Sequence, residues 1–162
     1  MRFHHMCIVT TDLEQSIGFW RDLMGFSLEV RMDLPDGPSP GPTTFCDARL
    51  MDDAFETKSS HSRMALLSSS EGALIELQEP QNPRVEKTPD SSLRYRNSGI
   101  RELGLTVVDI DAFFTKVTAA GYRTQTDYVW SSATAGRSFI FFDNEGNMIQ
   151  LWEASKDQAS WK

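Results

Sequence analysis

The order of apolar and polar residues predicts that the chain begins with a strand and an amphipathic helix. Residues Arg2 to Thr10 alternate with the period of two that is typical of a half-buried strand, and Asp12 then stands where a helix N-cap is expected. Apolar residues follow at helical spacing until Gly25, which marks the helix end. The predicted apolar face of this helix consists of Leu13, Ile17, Trp20, Leu23 and Met24.

The first half of the chain contains three further predicted strands and one long insertion. The strands cover Phe26 to Met32, Arg63 to Ser68 and Ala73 to Gln78. Between the first two lies the segment LPDGPSPGPTT, whose prolines and glycines disfavour regular structure, and then a short predicted helix around Leu50 to Phe55. The order strand, helix, strand, strand, strand defines a βαβββ unit.

The second half repeats this order after a linker. The linker QEPQNPRVEKTPDSS combines prolines, charges and small polar residues without an apolar period. Beyond it come the strand RELGLTVVD and a predicted helix from Ile110 to Ala120, with Asp109 as its N-cap and Gly121 at its end. Three predicted strands complete the second unit, near Tyr122 to Tyr128, Ser138 to Phe142 and Asn147 to Trp152.

Two alignments between the halves support an internal repeat. The fourth strands read EGALIELQE and EGNMIQLWE, and the first strands read HMCIVTTDLE and ELGLTVVDID, which aligns His5 with Glu102 and Asp12 with Asp109. We therefore predict an α+β fold of two tandem βαβββ units, 1–80 and 98–155, joined by a linker at 81–97 within one domain. We expect the units to pair into a curved eight-stranded mixed sheet with both long helices outside.

Composition and charge narrow the range of partners. Apolar residues make up 40% of the chain and charged residues 24%, which is typical of a soluble globular protein. The net charge of −7 argues against nucleic acid or an anionic membrane as the main partner, because both select basic surfaces. A small-molecule ligand is expected instead.

The cysteines and the N-terminal residues predict a cytoplasmic protein. Cys7 lies in a strand pattern and Cys46 in a proline-rich loop, so a disulfide framework is not expected and both thiols should stay reduced. The N-terminal residues MRFHHMCIVTTD reach a polar turn before a signal-peptide apolar region is complete, and no apolar run approaches transmembrane length.

Four polar residues interrupt apolar strands at two equivalent positions of the repeat. Side chains alternate across a sheet, so Glu76 should lie on the face opposite Ile75 and Leu77, and Gln150 on the corresponding face of the second unit. His5 and Glu102 occupy the other equivalent position. The four side chains should then line one cleft on the non-helical face, where buried carboxylates need a counter-charge such as a metal ion.

These motifs resemble those of the vicinal oxygen chelate superfamily, which includes glyoxalase I, methylmalonyl-CoA epimerase, extradiol dioxygenases, and fosfomycin- and bleomycin-resistance proteins. HHMCIVTTDLEQSIGFWRDLMGF is similar to the opening strand and helix of that family, and FFDNEGNMIQLWE to its closing hairpin. The resemblance covers nearly the whole chain. It implies metal ligands from the first and fourth strands of each unit, at His5, Glu76, Glu102 and Gln150, and a two-fold homodimer.

The ligand set departs from the commoner pattern of the family, which has His at the position of Glu102 and Glu at that of Gln150. One imidazole, two carboxylates and one amide nevertheless suit a divalent manganese, iron, cobalt, nickel or zinc ion. The alternative is a site that has lost its metal, as in bleomycin-binding relatives.

Three functions follow from this resemblance. A lyase or isomerase of the glyoxalase and epimerase type would use the ion to stabilise an enediolate, with Glu102 or Glu76 as catalytic base and Glu102 preferred. A metal-free binding or resistance protein needs no ligands. A ring-cleaving dioxygenase needs two histidines and one carboxylate, and only one histidine stands at the predicted ligand positions. The first function is the one we expect, with an unidentified substrate.

Other residues are weaker candidates. Arg63 and Arg137 begin the third strand of each unit and either bind a substrate anion or form surface ion pairs. Tyr128 and Trp130 precede or begin the stretch of small residues in WSSATAG and either line a ligand pocket or pack in the core. His4 is expected to be a packing or edge residue, and His61 to be either a solvated loop histidine or a proton carrier that enters the cleft. The insertion that carries Phe45 and Phe55 is either a lid or a solvated excursion.

Overall fold

The computed structural model describes residues 3–132 and 136–155, and these form two four-stranded sheets. The chain divides into two compact units, Met1–Lys87 and Thr88–Lys162. The first unit contains β1 (Met6–Val9), α1 (Leu13–Gly18) continued by a π-helical turn (Phe19–Leu23), β2 (Ser27–Leu34), α2 (Ala48–Ala54), β3 (His61–Ser68) and β4 (Leu74–Asn82). The second contains a 3₁₀ turn (Asp90–Leu93), β5 (Glu102–Thr106), α3 (Ile110–Ala119), β6 (Trp130–Ser132), β7 (Gly136–Phe142) and β8 (Met148–Glu153).

The two sheets have the same topology, which confirms the predicted tandem repeat. Their strand orders are β1-β4-β3-β2 and β5-β8-β7-β6. In each sheet the first strand pairs in parallel with the fourth, and the other neighbours are antiparallel. Each unit is therefore a βαβββ unit with a mixed sheet.

The agreement extends to the register of the parallel strands. Cys7 lies opposite Glu76 in the first unit, and Gly104 lies opposite Gln150 in the second. The residue after each first strand also repeats one hydrogen bond, since Thr10 N and Val107 N each donate to a fourth-strand carbonyl at 2.8 Å. The sequence alignment of the two halves is thus an alignment of equivalent backbone positions.

The two long helices begin as the sequence predicts. The Asp12 side chain accepts a hydrogen bond from Gln15 N, and the Asp109 side chain accepts one from Ala112 N. These bonds satisfy backbone N–H groups that have no partner inside the first helical turn. Gly25 and Gly121 follow the helices with φ near +81°, a conformation that disfavours residues with a Cβ.

Each long helix covers one face of its own sheet. In the first unit α1 packs against β3 and β4, and the facing residues Ile75 and Leu77 are buried. In the second unit α3 packs against β7 and β8, with the rings of Phe114 and Phe139 5.1 Å apart. We call these the helix faces. Glu76 and Gln150 alternate with the buried residues and so lie on the opposite, non-helical faces.

The insertion of the first unit is packed on the non-helical face. Met51 of α2 forms a buried cluster with Leu34 and Met64, and Phe55 and Cys46 pack against this cluster. Phe45 is exposed. The insertion therefore covers the part of the sheet formed by β2 and β3, beside the strand that carries Glu76.

One predicted strand is wrong. The segment from Tyr122 to Tyr128 forms only an isolated bridge between Thr124 and Phe141, and the edge strand of the second sheet is β6, which begins at Trp130. Residues that favour strands, Tyr122, Thr124, Thr126 and Tyr128, stand at every second position of this segment, which mimics a strand pattern. None of the helices formed by the described residues is long and apolar enough to cross a membrane.

Candidate functional site

The structure brings His5 and Glu76 together on the non-helical face of the first unit. His5 precedes β1 and lies two residues before Cys7, which is opposite Glu76 in the parallel pair. Residues two apart on a strand share a face, so both side chains project on the same side. His5 Nε2 is 3.2 Å from Glu76 Oε2, and the two side chains are 37% and 19% exposed. The predicted pair is therefore half-buried and in contact.

A buried hydrogen-bond network orients Glu76. Gln78, two residues further along β4, donates from Nε2 to Glu76 Oε1 at 2.8 Å. The Gln78 carbonyl oxygen accepts a hydrogen bond from the Ser62 hydroxyl at 2.7 Å, and both Gln78 and Ser62 are buried. The network occupies Oε1 of Glu76 and leaves Oε2 beside His5.

His4 also contacts the pair, because its Nδ1 lies 2.7 Å from His5 Nδ1. One of these two nitrogens must carry the proton. If His5 donates, its Nε2 keeps a lone pair directed to the side of Glu76, which is the tautomer that a metal ligand needs. His4, expected as an edge residue, is thus a neighbour of the candidate site.

The His5–Glu76 distance fits two ligands of one ion. Nitrogen and oxygen atoms about 2.1 Å from a divalent transition metal, at an angle of 90° to 109°, are about 3.0 to 3.4 Å from each other. The same distance fits a direct hydrogen bond or ion pair between the two side chains. Both side chains are among the donor types that such ions accept, so the pair fits a metal on geometry and on chemistry.

Cys7, predicted only as a residue of the first strand, also lies at this site. Its sulfur lies 3.8 Å from Glu76 Oε1. Loss of solvation and the nearby Glu76 carboxylate raise the pKa of the Cys7 thiol to about 12, so the thiol is protonated at neutral pH. Its position two residues after His5 is the signal that would have placed it on this face.

In the second unit Glu102 and Gln150 occupy backbone positions equivalent to those of His5 and Glu76. Gln150 lies opposite Gly104, and Glu102 lies two residues earlier on β5, so both are on the non-helical face. Trp152 stands at the position equivalent to Gln78, so the amide that holds Glu76 has no counterpart on β8.

A tyrosine from the segment before β5 contacts Glu102. The Tyr95 hydroxyl donates a hydrogen bond to Glu102 Oε2. Loss of solvation and the contact with Glu102 raise the pKa of Tyr95 to about 12, so the hydroxyl remains a donor at neutral pH. Tyr95 could not be recognised from the sequence pattern because it lies in the linker, where no period indicates a direction for the side chain.

The two arginines proposed as substrate ligands lie on the helix faces. Arg63 Nε donates to Glu79 at 2.6 Å, and its guanidinium is 3.9 Å from Glu14 of α1. Arg137 forms two hydrogen bonds of 2.6 Å with Asp111 of α3. Both guanidinium groups are therefore paired on the side of the sheet opposite the candidate ligands.

A shallow cavity of about 490 Å³ lies beside Arg137 and Glu153. Its lining also includes Val108 and Ser131. Arg137, Ser131 and Glu153 are opposite one another on neighbouring strands and belong to the helix face of the second sheet. Gln150 is not among the described residues that line this cavity.

The remaining candidates are divided between the surface and the non-helical face. Tyr128 is 59% exposed, and its carbonyl accepts a hydrogen bond from Thr126. Trp130 is half-buried against a cluster of Ile140, Phe142 and Met148 on the face of Gln150. His61 is exposed at the start of β3, as expected of a solvated histidine.

Of the four predicted ligands, two are in direct contact with each other. Across residues 3–132 and 136–155, no group of three or more His, Cys, Asp and Glu side chains is arranged so that it would hold a metal ion. Glu76 with His5 is the pair in direct contact.

A family model, that of the Glyoxalase/Bleomycin resistance protein/Dioxygenase superfamily, matches residues 2–151. No curated protein matches the chain by sequence.

Solved structures share the fold over nearly the whole chain. A glyoxalase family protein from Bacillus cereus is 21% identical, with 95% of this chain and 94% of that chain covered and a TM-score of 0.77. A FosX fosfomycin resistance protein variant from Listeria monocytogenes, complexed with Mn(II) and 1S,2S-dihydroxypropylphosphonic acid, is 12% identical, with coverages of 97% and 95% and a TM-score of 0.59. TnmS3, an antibiotic binding protein from Streptomyces sp. CB03234, is 18% identical, with coverages of 95% and 98% and a TM-score of 0.53. At such low identities the likeness is one of fold.

Proposed function

Because the chain belongs to the Glyoxalase/Bleomycin resistance protein/Dioxygenase superfamily, we propose that it is a metal-dependent lyase or isomerase of the glyoxalase and epimerase type. Its substrate is a small organic molecule with two neighbouring oxygen atoms. The observation that carries the proposal is the 3.2 Å contact between His5 Nε2 and Glu76 Oε2 on the non-helical face of the first sheet.

The proposed ligands are His5 and Glu76 with Glu102 and Gln150, the equivalent positions of the second unit. Two carboxylates neutralise a divalent ion, and the imidazole and amide complete a set suited to manganese, iron, cobalt, nickel or zinc. Such an ion, when bound, polarises substrate oxygens as a Lewis acid. FosX, which has the same fold, was solved with Mn(II).

The protein side chains have different roles in this proposal. Glu76 is the fixed ligand, because Gln78 holds one of its oxygens within a buried network. Glu102 is the base that removes a proton next to a substrate carbonyl and returns it. It suits this role because its hydrogen-bond donor among the described residues, Tyr95, is exposed and not part of a buried network. Arg63 and Arg137 have no part in the proposed site, because both are paired on the helix faces.

A metal-free binding protein is the second candidate. It is favoured by the lack, among the described residues, of three His, Cys, Asp or Glu side chains arranged around one point. The fold is also that of TnmS3, an antibiotic binding protein. In this alternative the His5–Glu76 contact is an ion pair or hydrogen bond that needs no metal.

Thermal unfolding of metal-stripped protein separates the two candidates. A ligand that binds only the folded state stabilises it by mass action, so an ion at a hundredfold its Kd should raise the Tm by about 5 to 10 °C. Manganese, iron, cobalt, nickel and zinc are each tested. His5→Ala should abolish the rise, and His61→Ala, which removes an exposed histidine of the same unit, should retain it.

Either of two results would contradict the metal proposal. One is a Tm that none of the five ions raises, which would favour the metal-free binding protein. The other is an equal rise in the wild type and in the His5→Ala variant, which would show that the ion binds elsewhere.

A further inference from the structure

We infer that Tyr95 is a positioning residue for Glu102, held in place by a clamped segment at the start of the second unit, and that it sets the affinity of the metal site. The inference rests on the proposed function and concerns a residue outside the four proposed ligands. Its structural basis lies wholly within the second unit, in the contacts of residues 90–95 with β5, β7 and the turn before β8.

Tyr95 and Glu102 are in direct contact. The Tyr95 hydroxyl donates to Oε2 of Glu102, so this oxygen is occupied and Oε1 is the one left for an ion. A glutamate side chain that is not held loses rotamer entropy when it binds. Partners of metal-ligating carboxylates fix the orientation of the ligand and thereby raise the affinity. Tyr95 is in the place of such a partner.

The chain segment before Tyr95 is anchored to the second sheet by contacts with Phe142 of β7. The guanidinium groups of Arg94 and Arg123 lie 4.3 and 3.7 Å from the ring centre of Phe142. Both arginines also contact Asp90 Oδ2, at 3.0 and 3.2 Å. One carboxylate and one buried ring thus hold two arginines, one from the segment and one from the body of the unit. We call this group the arginine clamp.

Residues 90–93 of the same segment also pack closely against the turn before β8. A Cβ added to Gly146 would lie 2.9 Å from Asp90 Oδ1 and 3.5 Å from a methyl group of Leu93. Gly146 also has a φ of +89°, so both its conformation and the close approach of the segment require glycine. The segment that ends at Tyr95 is therefore docked, and the position of the hydroxyl follows from contacts that the linker makes with its own unit.

The two units consequently hold their carboxylates in different ways. Glu76 is held by Gln78 from the same strand, in a buried network. Glu102 is held by Tyr95 from a separate segment, and this tyrosine is 56% exposed. A carboxylate held from an exposed segment can exchange its partner with less loss of packing, which suits the ligand that is proposed to act as the base.

The test is the metal affinity of Tyr95→Phe, measured by calorimetric titration of the metal-stripped protein with the ion that gives the largest Tm rise. This variant removes the hydroxyl and keeps the ring. We expect the Kd to increase by about 10- to 100-fold, the range typical of losing a partner of a metal ligand. The Tm of the metal-free variant should change little, because the ring is exposed. Tyr122→Phe, which removes a phenolic hydroxyl elsewhere in the same unit, should leave the Kd unchanged.

A double-mutant cycle shows whether Tyr95 acts through Glu102. In a Glu102→Ala background Tyr95→Phe should have no further effect on the Kd, because the group that it positions is gone. Arg94→Gln, which weakens the arginine clamp but keeps Tyr95, should raise the Kd in the wild-type background by a smaller factor.

Each other outcome overturns the inference in a recognisable way. An equal Kd for the wild type and Tyr95→Phe would mean that Tyr95 positions nothing, with the proposed metal site intact. An equal loss of affinity in the wild-type and Glu102→Ala backgrounds would mean that Tyr95 does not act through Glu102. A wild type that binds none of the ions would remove the proposed function and this inference with it.

Discussion

Gln78 Nε2 donates to Glu76 Oε1 at 2.8 Å, and this bond decides which oxygen of Glu76 lies beside His5. Gln78 itself is buried and is held by the Ser62 hydroxyl at 2.7 Å. A carboxylate with one oxygen fixed in this way has a defined direction for the other. The preorganisation of the site therefore begins two residues away from the candidate ligand, on the same strand.

Replacing Gln78 by Leu should test this relationship. The variant keeps a side chain of similar volume but removes the donor to Glu76 and the acceptor of Ser62. We expect metal affinity to fall by about 10- to 100-fold. The free energy of unfolding of the metal-free protein should fall by about 1 to 3 kcal/mol, because buried polar groups lose partners. Calorimetry and urea unfolding measure the two effects, with Gln81→Leu on the exposed end of β4 as the control.

A Gln78→Leu variant with unchanged metal affinity would show that the network stabilises the unit without orienting Glu76. Parallel changes in Gln81→Leu would instead mean that the effects come from altering this strand in general.

Glu102→Gln should separate binding from catalysis. Glutamine keeps an oxygen donor at the same distance from the backbone and removes the basic group. We expect the metal content of the purified protein to survive while turnover of a substrate with neighbouring oxygens falls by about a hundredfold or more, as is typical of losing a general base. Elemental analysis and a turnover assay measure the two quantities. Equal losses of metal and turnover would make Glu102 a ligand alone, and unchanged turnover would exclude it from the chemistry.

The repeat and the faces of the fourth strands could be predicted because one signal specifies both. In ELQ and QLW the buried Leu77 and Leu151 alternate with polar or half-buried residues, so a period of two identifies the face of Glu76 and Gln150. The helix N-caps could also be predicted, because the side chains of Asp12 and Asp109 accept hydrogen bonds from backbone N–H groups only three residues further along the chain.

The faces of Arg63 and Arg137 could not be predicted in the same way. β7 has buried residues on both faces, with Phe139 and Phe141 on one side and Ile140 and Phe142 on the other. A strand that is apolar on both sides carries no alternation from which the direction of its first residue follows. Only the register with β8 places Arg137 beside Glu153 on the helix face.

The hydrophobic pattern also could not predict the π-helical turn or the contact between Tyr95 and Glu102. The π-helical turn at Phe19–Leu23 continues a regular helical spacing, so the period that predicts a helix does not distinguish it. Tyr95 contacts Glu102 because the arginine clamp docks the linker, and cation–π contacts between residues far apart in sequence have no local signature. The homodimer and the assembled four-ligand site stay predictions.

The two N-caps offer a matched test of the repeat. Asp12→Ala and Asp109→Ala each remove a side chain that accepts a backbone N–H of the first helical turn. Each substitution should lower the free energy of unfolding by about 0.5 to 2 kcal/mol, measured by urea unfolding. Asp→Asn at each position keeps an acceptor and should cost less. A helix whose stability does not change would show that its cap is supplied by other groups.

Asp143, in the turn before β8, should make the stability of the protein depend on pH. Burial raises the pKa of its carboxyl, although hydrogen bonds from the Asn147 side chain and from the backbone N–H groups of Asn147 and Glu145 act in the opposite direction. A carboxyl whose pKa is higher in the folded than in the unfolded chain binds its proton more tightly when folded. Its contribution to stability is therefore complete below the unfolded pKa of about 4 and is lost as the pH rises through the folded value. The side chain introduced by Asp143→Asn does not titrate. Subtracting the free energy of unfolding of this variant from that of the wild type therefore removes the pH dependence that the other groups contribute to both proteins. The free energy of unfolding of the wild type, relative to Asp143→Asn, should decrease as the pH is raised from about 4 to about 7, as urea unfolding at matched ionic strength would measure. A relative stability that stays constant or increases over this range would show that the hydrogen bonds, and not burial, dominate the titration of Asp143.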